Sequence, residues 1–148
     1  MKGNFAFKFL FFSIFYINFL NAYSEELQFE ATSIEIIDKD KIVIAKEGVK
    51  ILLGNEIVIN ADRMRYDKEK KFLEASGNIV ITNKIENIKI NSDKVSYDKN
   101  IEKIISSGNV EIKLENNYTL NTKEIIYLKN SEEISINHIS KIKDNLGK

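Results

Sequence analysis

The chain has 148 residues, with 22 basic side chains against 22 acidic ones, a single histidine, and neither cysteine nor proline. Balanced charge argues against a nucleic-acid partner, because phosphate binding needs a basic excess or a clustered patch. Without cysteine there are no disulfides, so stability has to come from a packed core.

The first element reads as a leader. Lys2 and Lys8 lie in a short basic start, Phe9 to Leu20 is an uncharged apolar run (FLFFSIFYINFL), and Ala22-Tyr23-Ser24 puts small residues at the two positions a signal peptidase reads. Residues 1–24 are therefore expected to be a signal peptide cleaved after Ser24. The alternative is an uncleaved anchor, although the run is shorter than the ~20 residues that span a bilayer. Removing Lys2 and Lys8 leaves 20 basic against 22 acidic residues in 25–148, the length of one domain.

Three look-alike segments follow. Ile57 to Ile81 reads IVINADRMRYDKEKKFLEASGNIVI, Ile88 to Ile112 reads IKINSDKVSYDKNIEKIISSGNVEI, and Tyr118 to Ile142 reads YTLNTKEIIYLKNSEEISINHISKI. Tyr66-Asp67-Lys68 recurs as Tyr97-Asp98-Lys99, and Ser76-Gly77-Asn78 as Ser107-Gly108-Asn109, both at an offset of 31. Val95 to Ile125 and Tyr97 to Tyr127 are offset by 30. A weaker copy comes first, with Ala31, Ile34, Ile36, Val43, Ala45 and Val49 lying 30 residues before their counterparts. One extra residue in the turn between Thr82 and Asn87 explains each 31. A fixed period with one explicable insertion is the signature of a repeat architecture.

Within a copy, Ile88, Ile90 and Ser92 alternate with polar residues, as in a half-buried strand. After Asp93 the parity slips, and Val95 and Tyr97 carry the apolar face. The slip recurs between Ala61 and Met64 and between Thr122 and Ile125. Strand side chains have a period of two, so a recurrent slip is expected to mark an extra residue, a bulge at Asp62 and Asp93 that bends the strand. Asp could bond its own backbone there. The return strands alternate through Leu73, Ala75, Gly77, Ile79 and Ile81, and through Ile104, Ser106, Gly108, Val110 and Ile112. Gly-Asn in their middle, with Gly48 at the matching place in the first copy, points to a second corner in the left-handed region. A phosphate loop would need a following helix N-terminus, and no helical spacing is visible.

Turn signals fall at Asp38–Lys41, Gly54-Asn55, Asp67–Lys71, Asn83–Asn87, Asp98–Glu102, Asn116-Asn117 and Lys129–Glu133. They separate eight long strands, each broken by a bend. The expected fold class is all-β: one bent antiparallel sheet (a β-jellyroll or β-taco) of ~30-residue repeats, open at both ends.

The boxes Asn60-Ala61-Asp62, Tyr66-Asp67 and Ser76-Gly77-Asn78, repeated as Asn91-Ser92-Asp93, Tyr97-Asp98 and Ser107-Gly108-Asn109, resemble the OstA-like (LptA) family of lipopolysaccharide transport. The resemblance covers Phe29 to about Ile136. It implies a periplasmic carrier that shields the acyl chains of lipid A in an apolar groove. It also implies head-to-tail self-association, and partners resembling inner-membrane LptC and outer-membrane LptD. An LptC-like anchored subunit, or a structural β-repeat module without lipid, are the alternatives. The last copy departs from the pattern: Lys123 replaces Asp, Leu128 follows Tyr127, and His138-Ile139 replaces Gly-Asn.

The expected lining comprises Ile59, Ala61, Met64, Tyr66, Leu73, Ala75, Ile79, Ile81, Ile90, Val95, Tyr97, Ile104, Val110 and Ile112. Alternation by itself favours an ordinary filled core over a groove; the resemblance points instead to the groove, with the small residues Ala61, Ala75, Ser92 and Ser106 leaving room. Phe29, Ile34, Ile36, Ile134 and Ile136 mark the first and last strands, whose edges invite pairing with another chain. Arg63 and Arg65 share a face opposite Met64 and Tyr66. Arg suits bidentate phosphate recognition, yet a solvated outer face is the plainer reading of the pair. His138 has no cysteine or second histidine near it, so neither a metal site nor a catalytic triad is expected. No paired-carboxylate cleft can be inferred, and no enzyme activity or cofactor is expected.

Overall fold

Alternating apolar residues between turn signals produce ten strands among the described residues: β1 (Leu27–Glu30), β2 (Ser33–Ile37), β3 (Ile42–Leu53), β4 (Ile57–Asp67), β5 (Phe72–Asn83), β6 (Ile88–Asp98), β7 (Lys103–Lys113), β8 (Thr119–Leu128), β9 (Glu133–Ile136) and β10 (Ile139–Lys143). The computed structural model describes residues 27–114, 118–136 and 139–143. The expected leader, the Asn116-Asn117 turn and His138 lie outside these residues.

All ten strands form one antiparallel sheet, in the order β1-β3-β4-β5-β6-β7-β8-β10, with β2 also on β3 and β9 also on β8. β1 and β2 are two halves of one edge pass, pairing with the end and the start of β3. β9 and β10 do the same against β8. Eight bent passes result, as the turn signals require. The sheet is open.

The bend is one fold line crossing the whole sheet. In β3, β5 and β7 two residues oppose one on each neighbouring strand: Glu47-Gly48 and Gly77-Asn78 oppose Asp62, Gly77-Asn78 and Gly108-Asn109 oppose Asp93, and Gly108-Asn109 oppose Lys123. Both residues of each pair have positive φ, 64° and 65° in β3, 81° and 48° in β5, and 75° and 46° in β7. This corrects the expectation of an extra residue at Asp62 and Asp93. The extra residue sits in the odd-numbered strands, where Gly and Asn tolerate the left-handed region. The even-numbered strands slip parity because two successive residues, Asp62-Arg63 in β4 and Asp93-Lys94 in β6, both point outward. The two expected corners are therefore one.

The aspartates also differ from expectation. The Asn78 side-chain amide donates to Asp62 Oδ2 at 2.8 Å, and Asn109 donates to Asp93 Oδ2 at 2.8 Å. Each Asp ties its strand to the next, across the fold line, with no bond to its own backbone.

The fold line divides the sheet into two leaves. The upper leaf carries the turns at 54–56 and 84–87; the lower leaf carries those at 38–41, 68–71, 99–102 and 129–132. The lower turns are stitched together by backbone bonds from Lys68 N to Lys41 O (2.8 Å), Lys99 N to Lys71 O (3.0 Å) and Lys129 N to Glu102 O (2.9 Å). Inward residues of both leaves meet in a single apolar core that includes Val49, Ile51, Ile59, Leu73, Ile79 and Val110.

Candidate functional site

Toward the C-terminal edge of the sheet the core opens into a cleft between the leaves. Its upper wall is Ile57, Ile81, Asn83, Glu86, Ile88 and Ile90; its lower wall is Ile104, Ser106, Ile125, Tyr127 and Ile134. The wall residues come from β4 to β6 above and from β7 to β9 below, so the cleft exists only because the sheet is folded over. Its free volume is about 30 Å³, room for a water or two and far below the ~300–1,000 Å³ of ligand pockets, so the two walls lie nearly closed on each other.

The polar atoms in and beneath the cleft are satisfied by neighbours. Ser106 Oγ donates to Ser92 Oγ at 2.6 Å, and Ser92 Oγ donates to Lys94 O at 3.2 Å. Asn83 Nδ2 donates to Glu86 Oε2 at 3.0 Å, while Asn83 Oδ1 accepts from the Ile85 and Glu86 amides. No buried side-chain nitrogen or oxygen among the described residues lacks a partner. Burial, and then Glu86, Glu132 and Glu56 nearby, push the Tyr127 hydroxyl above its ordinary pKa. Ionisation there would place a charge against apolar walls, so Tyr127 stays a neutral, amphipathic lip. Tyr97 Oη donates to Glu102 at 2.7 Å. What remains for an occupant is apolar surface, which binds by exclusion of water and without directional chemistry.

Thirteen of the fourteen expected lining residues are buried, and Tyr66 is half-buried against the core. Only Ile81, Ile90 and Ile104 of that set reach the cleft. The others, Ile59 and Leu73 among them at 0% exposure, pack against one another deeper in the fold. Ile57, Ile88, Ile125 and Tyr127 were outside the expected set, yet the repeat itself carried two of them: Ile125 and Tyr127 stand 30 residues after Val95 and Tyr97.

The edges divide in the same way. Ile34 and Ile36 on β2 are 50% and 53% exposed, and Phe29 on β1 packs partly on the core. Ile134 lines the cleft and Ile136 packs partly on the core, so both turn inward from the last edge. The described residues contain no group of three or more His, Cys, Asp or Glu placed to hold a metal. They also contain no helix long and apolar enough to cross a membrane.

No family model matches the sequence, and neither does any curated protein. Among solved structures, the chain is similar to LptH of Pseudomonas aeruginosa, described as the LptA-homologous periplasmic component of the conserved lipopolysaccharide transport device. The TM-score is 0.64 at 13% identity, over 84% of this chain and 86% of that one. The likeness is one of fold. It extends along most of both chains.

Proposed function

We propose that the protein is a non-enzymatic periplasmic carrier of lipopolysaccharide, holding lipid A acyl chains between the two leaves. The observation that carries the reading is the cleft: an apolar interior that opens toward one edge of the sheet while its buried polar atoms are already bonded. Each methylene transferred into it gains about 0.8 kcal/mol, so acyl chains bind without any catalytic group. The resemblance of the repeated boxes and the shared fold with LptH support this assignment. With about 30 Å³ free in the cleft, acyl chains enter only as the leaves part. The open sheet permits that, because among the described residues no strand pairing joins the first edge to the last.

The same reading gives the edges a role. β1 and β2 at one side, β9 and β10 at the other, each present an unpaired row of backbone groups. Chains stacked edge to edge would extend the groove across the periplasm, ending at LptC-like and LptD-like partners.

Photo-crosslinking tests the carrier directly. A photoreactive residue at Ile104 or Ile134, in the cleft, gives adducts with lipopolysaccharide, and so does one at Ile79 once the leaves part. A control at Lys89, exposed on the outer face of the upper leaf, gives none. Absence of adducts at every inward position would overturn the carrier and favour a structural β-repeat module. Mass spectrometry of the purified protein separates the soluble carrier from an anchored LptC-like subunit: an intact Met1 supports the anchor.

A further inference from the structure

The outer face of the lower leaf, turned away from the cleft, is hollowed into a trough that the carrier reading does not use. Beside the fold line, the strand register sets Lys46, Arg63, Ser76, Lys94 and Ser107 in one row across β3 to β7. The next row runs from Ile44 through Arg65, Glu74 and Ser96 to Ile105. The four cations are exposed and stand around a floor of short side chains, Ser76, Ser96 and Ser107. The hollow holds about 560 Å³ of free volume, against about 30 Å³ in the cleft, which puts it within the ~300–1,000 Å³ of ligand sites.

Three features set these cations apart from the rest of the surface. Lys46 and Arg63 are direct cross-strand neighbours, an arrangement of like charge that destabilises a sheet. Lys41, Lys50, Lys70 and Lys113 each pair with a carboxylate, whereas these four form no ion pair among the described residues. Arg63 and Arg65 are also the chain's only arginines, and the guanidinium fork matches a carboxylate bidentately where lysine offers a point charge.

We propose that this trough docks an extended acidic segment of another polypeptide, lying across the strands with one carboxylate on Lys46, Arg63 and Arg65 and a second on Lys94. Arg clusters that read acidic segments are a recurrent mode of peptide recognition. Lys46 and Lys94 lie three strands apart, about 14 Å at the usual strand spacing. Side chains four residues apart point the same way from an extended segment and lie about 13 Å apart, so acidic residues at that spacing reach both ends. Glu74, opposite Arg65, is the one carboxylate in the trough wall. It repels a compact anion such as phosphate, whereas a peptide backbone brings N–H donors to it and further polar groups to the serine hydroxyls. A flat bilayer has no ridge to fill the hollow. No aromatic side chain lines it for bases to stack on, and the balanced charge of the chain does not suit a nucleic acid. The proposal goes beyond the carrier reading and does not depend on it.

The test is an NMR titration of the intact chain with the blocked peptide Ser-Glu-Thr-Ser-Thr-Glu-Ser. It runs beside the isomer Ser-Glu-Glu-Thr-Ser-Thr-Ser, the version with both Glu replaced by Gln, inorganic phosphate and phosphatidylglycerol vesicles. Saturable shifts at the Arg63, Ser76 and Lys94 amides are expected, at least threefold tighter for the spaced peptide than for its isomer and absent with the Gln peptide. Arg63→Gln with Arg65→Gln weakens the spaced peptide at least tenfold, and Lys94→Gln abolishes its advantage over the isomer. Unchanged or raised melting temperatures show that these variants fold, since removing like charge relieves the sheet. The proposal is overturned by no saturable shift, by equal affinity for the isomer or the Gln peptide, or by shifts at these amides with phosphate or the vesicles alone.

Discussion

A single methyl group added at Gly77 and at Gly48 separates two costs that the fold line combines. Both glycines have positive φ, 81° and 65°, so alanine at either position meets the left-handed penalty of ~1–2 kcal/mol. The lower entropy of the unfolded alanine chain offsets that by ~0.4–1 kcal/mol. Around Gly48 a Cβ meets nothing within 4 Å, so Gly48→Ala should cost about 1 kcal/mol. At Gly77 the new Cβ would lie 2.9 Å from Asp62 Cβ, and the carboxylate that anchors Asn78 has to move. Overpacking of that kind adds ~1–3 kcal/mol, which brings Gly77→Ala to about 2–4 kcal/mol. Urea denaturation at 25 °C measures both. Gly108→Ala should behave like Gly77→Ala, since its Cβ would meet Asp93 Cβ at 3.0 Å. In a double-mutant cycle, Asp62→Gly should recover at least about 1 kcal/mol of the Gly77→Ala loss, because the pair is in contact. Equal costs at Gly48 and Gly77, or no coupling to Asp62, would refute the account of the corner.

Ile59→Ala, in the closed part of the core at 0% exposure, should cost ~2–5 kcal/mol through transfer and cavity terms together. Ile88→Ala, half-buried in the cleft wall, should cost about 1 kcal/mol in the same urea assay, from a fraction of the ~0.8 kcal/mol per methylene. The Asp67 carboxyl is held below its ordinary pKa, first by the Lys70 amide and then by the Lys70 and Arg65 charges, against the opposing effect of burial. Its contribution is therefore present above about pH 4 and lost as pH falls through the lowered value. Asp67→Asn should flatten that acid limb in melts taken from pH 6 down to pH 2. Burial raises Tyr66 and Tyr127, so the unfolded chain loses those protons first and stability falls as pH rises past about 10. Tyr127→Phe should reduce that alkaline loss, and an unchanged alkaline limb would place Tyr127 outside the apolar wall.

Much of this was legible because a repeat states its geometry several times. Ile57, Ile59 and Ala61 followed by Met64, and Ile88, Ile90 and Ser92 followed by Val95, located the bend on two strands independently. The turn residues between them set the strand count. The partner of each corner was not legible. Parity read along one strand cannot tell an extra residue in that strand from an extra residue in its neighbour, and the neighbours held it at Gly77-Asn78 and Gly108-Asn109. Nor does parity tell closed core from open cleft. Ile59 and Ile104 carry the same signal, yet Ile59 packs deep while Ile104 borders the empty space, because that difference depends on which leaf lies opposite after folding.

The corner is built from outside. Asp62 with Asn78 and Asp93 with Asn109 are exposed pairs, and the lower turns are tied by backbone bonds along the lip. The angle between the leaves is thus held by polar residues that never enter the interior. In an ordinary sandwich the packed side chains alone hold two sheets at their ~10 Å separation, so emptying the interior removes what keeps them apart. Here the same strands run on through the bend, with the ladder resuming on either side of the bulges, and the walls can exchange contact with each other for contact with an apolar guest. Burial then stabilises the fold in either case, by similar amounts per methylene. On the proposed carrier reading, loading and releasing acyl chains while staying folded calls for that separation between the residues that set the shape and the residues that meet the cargo.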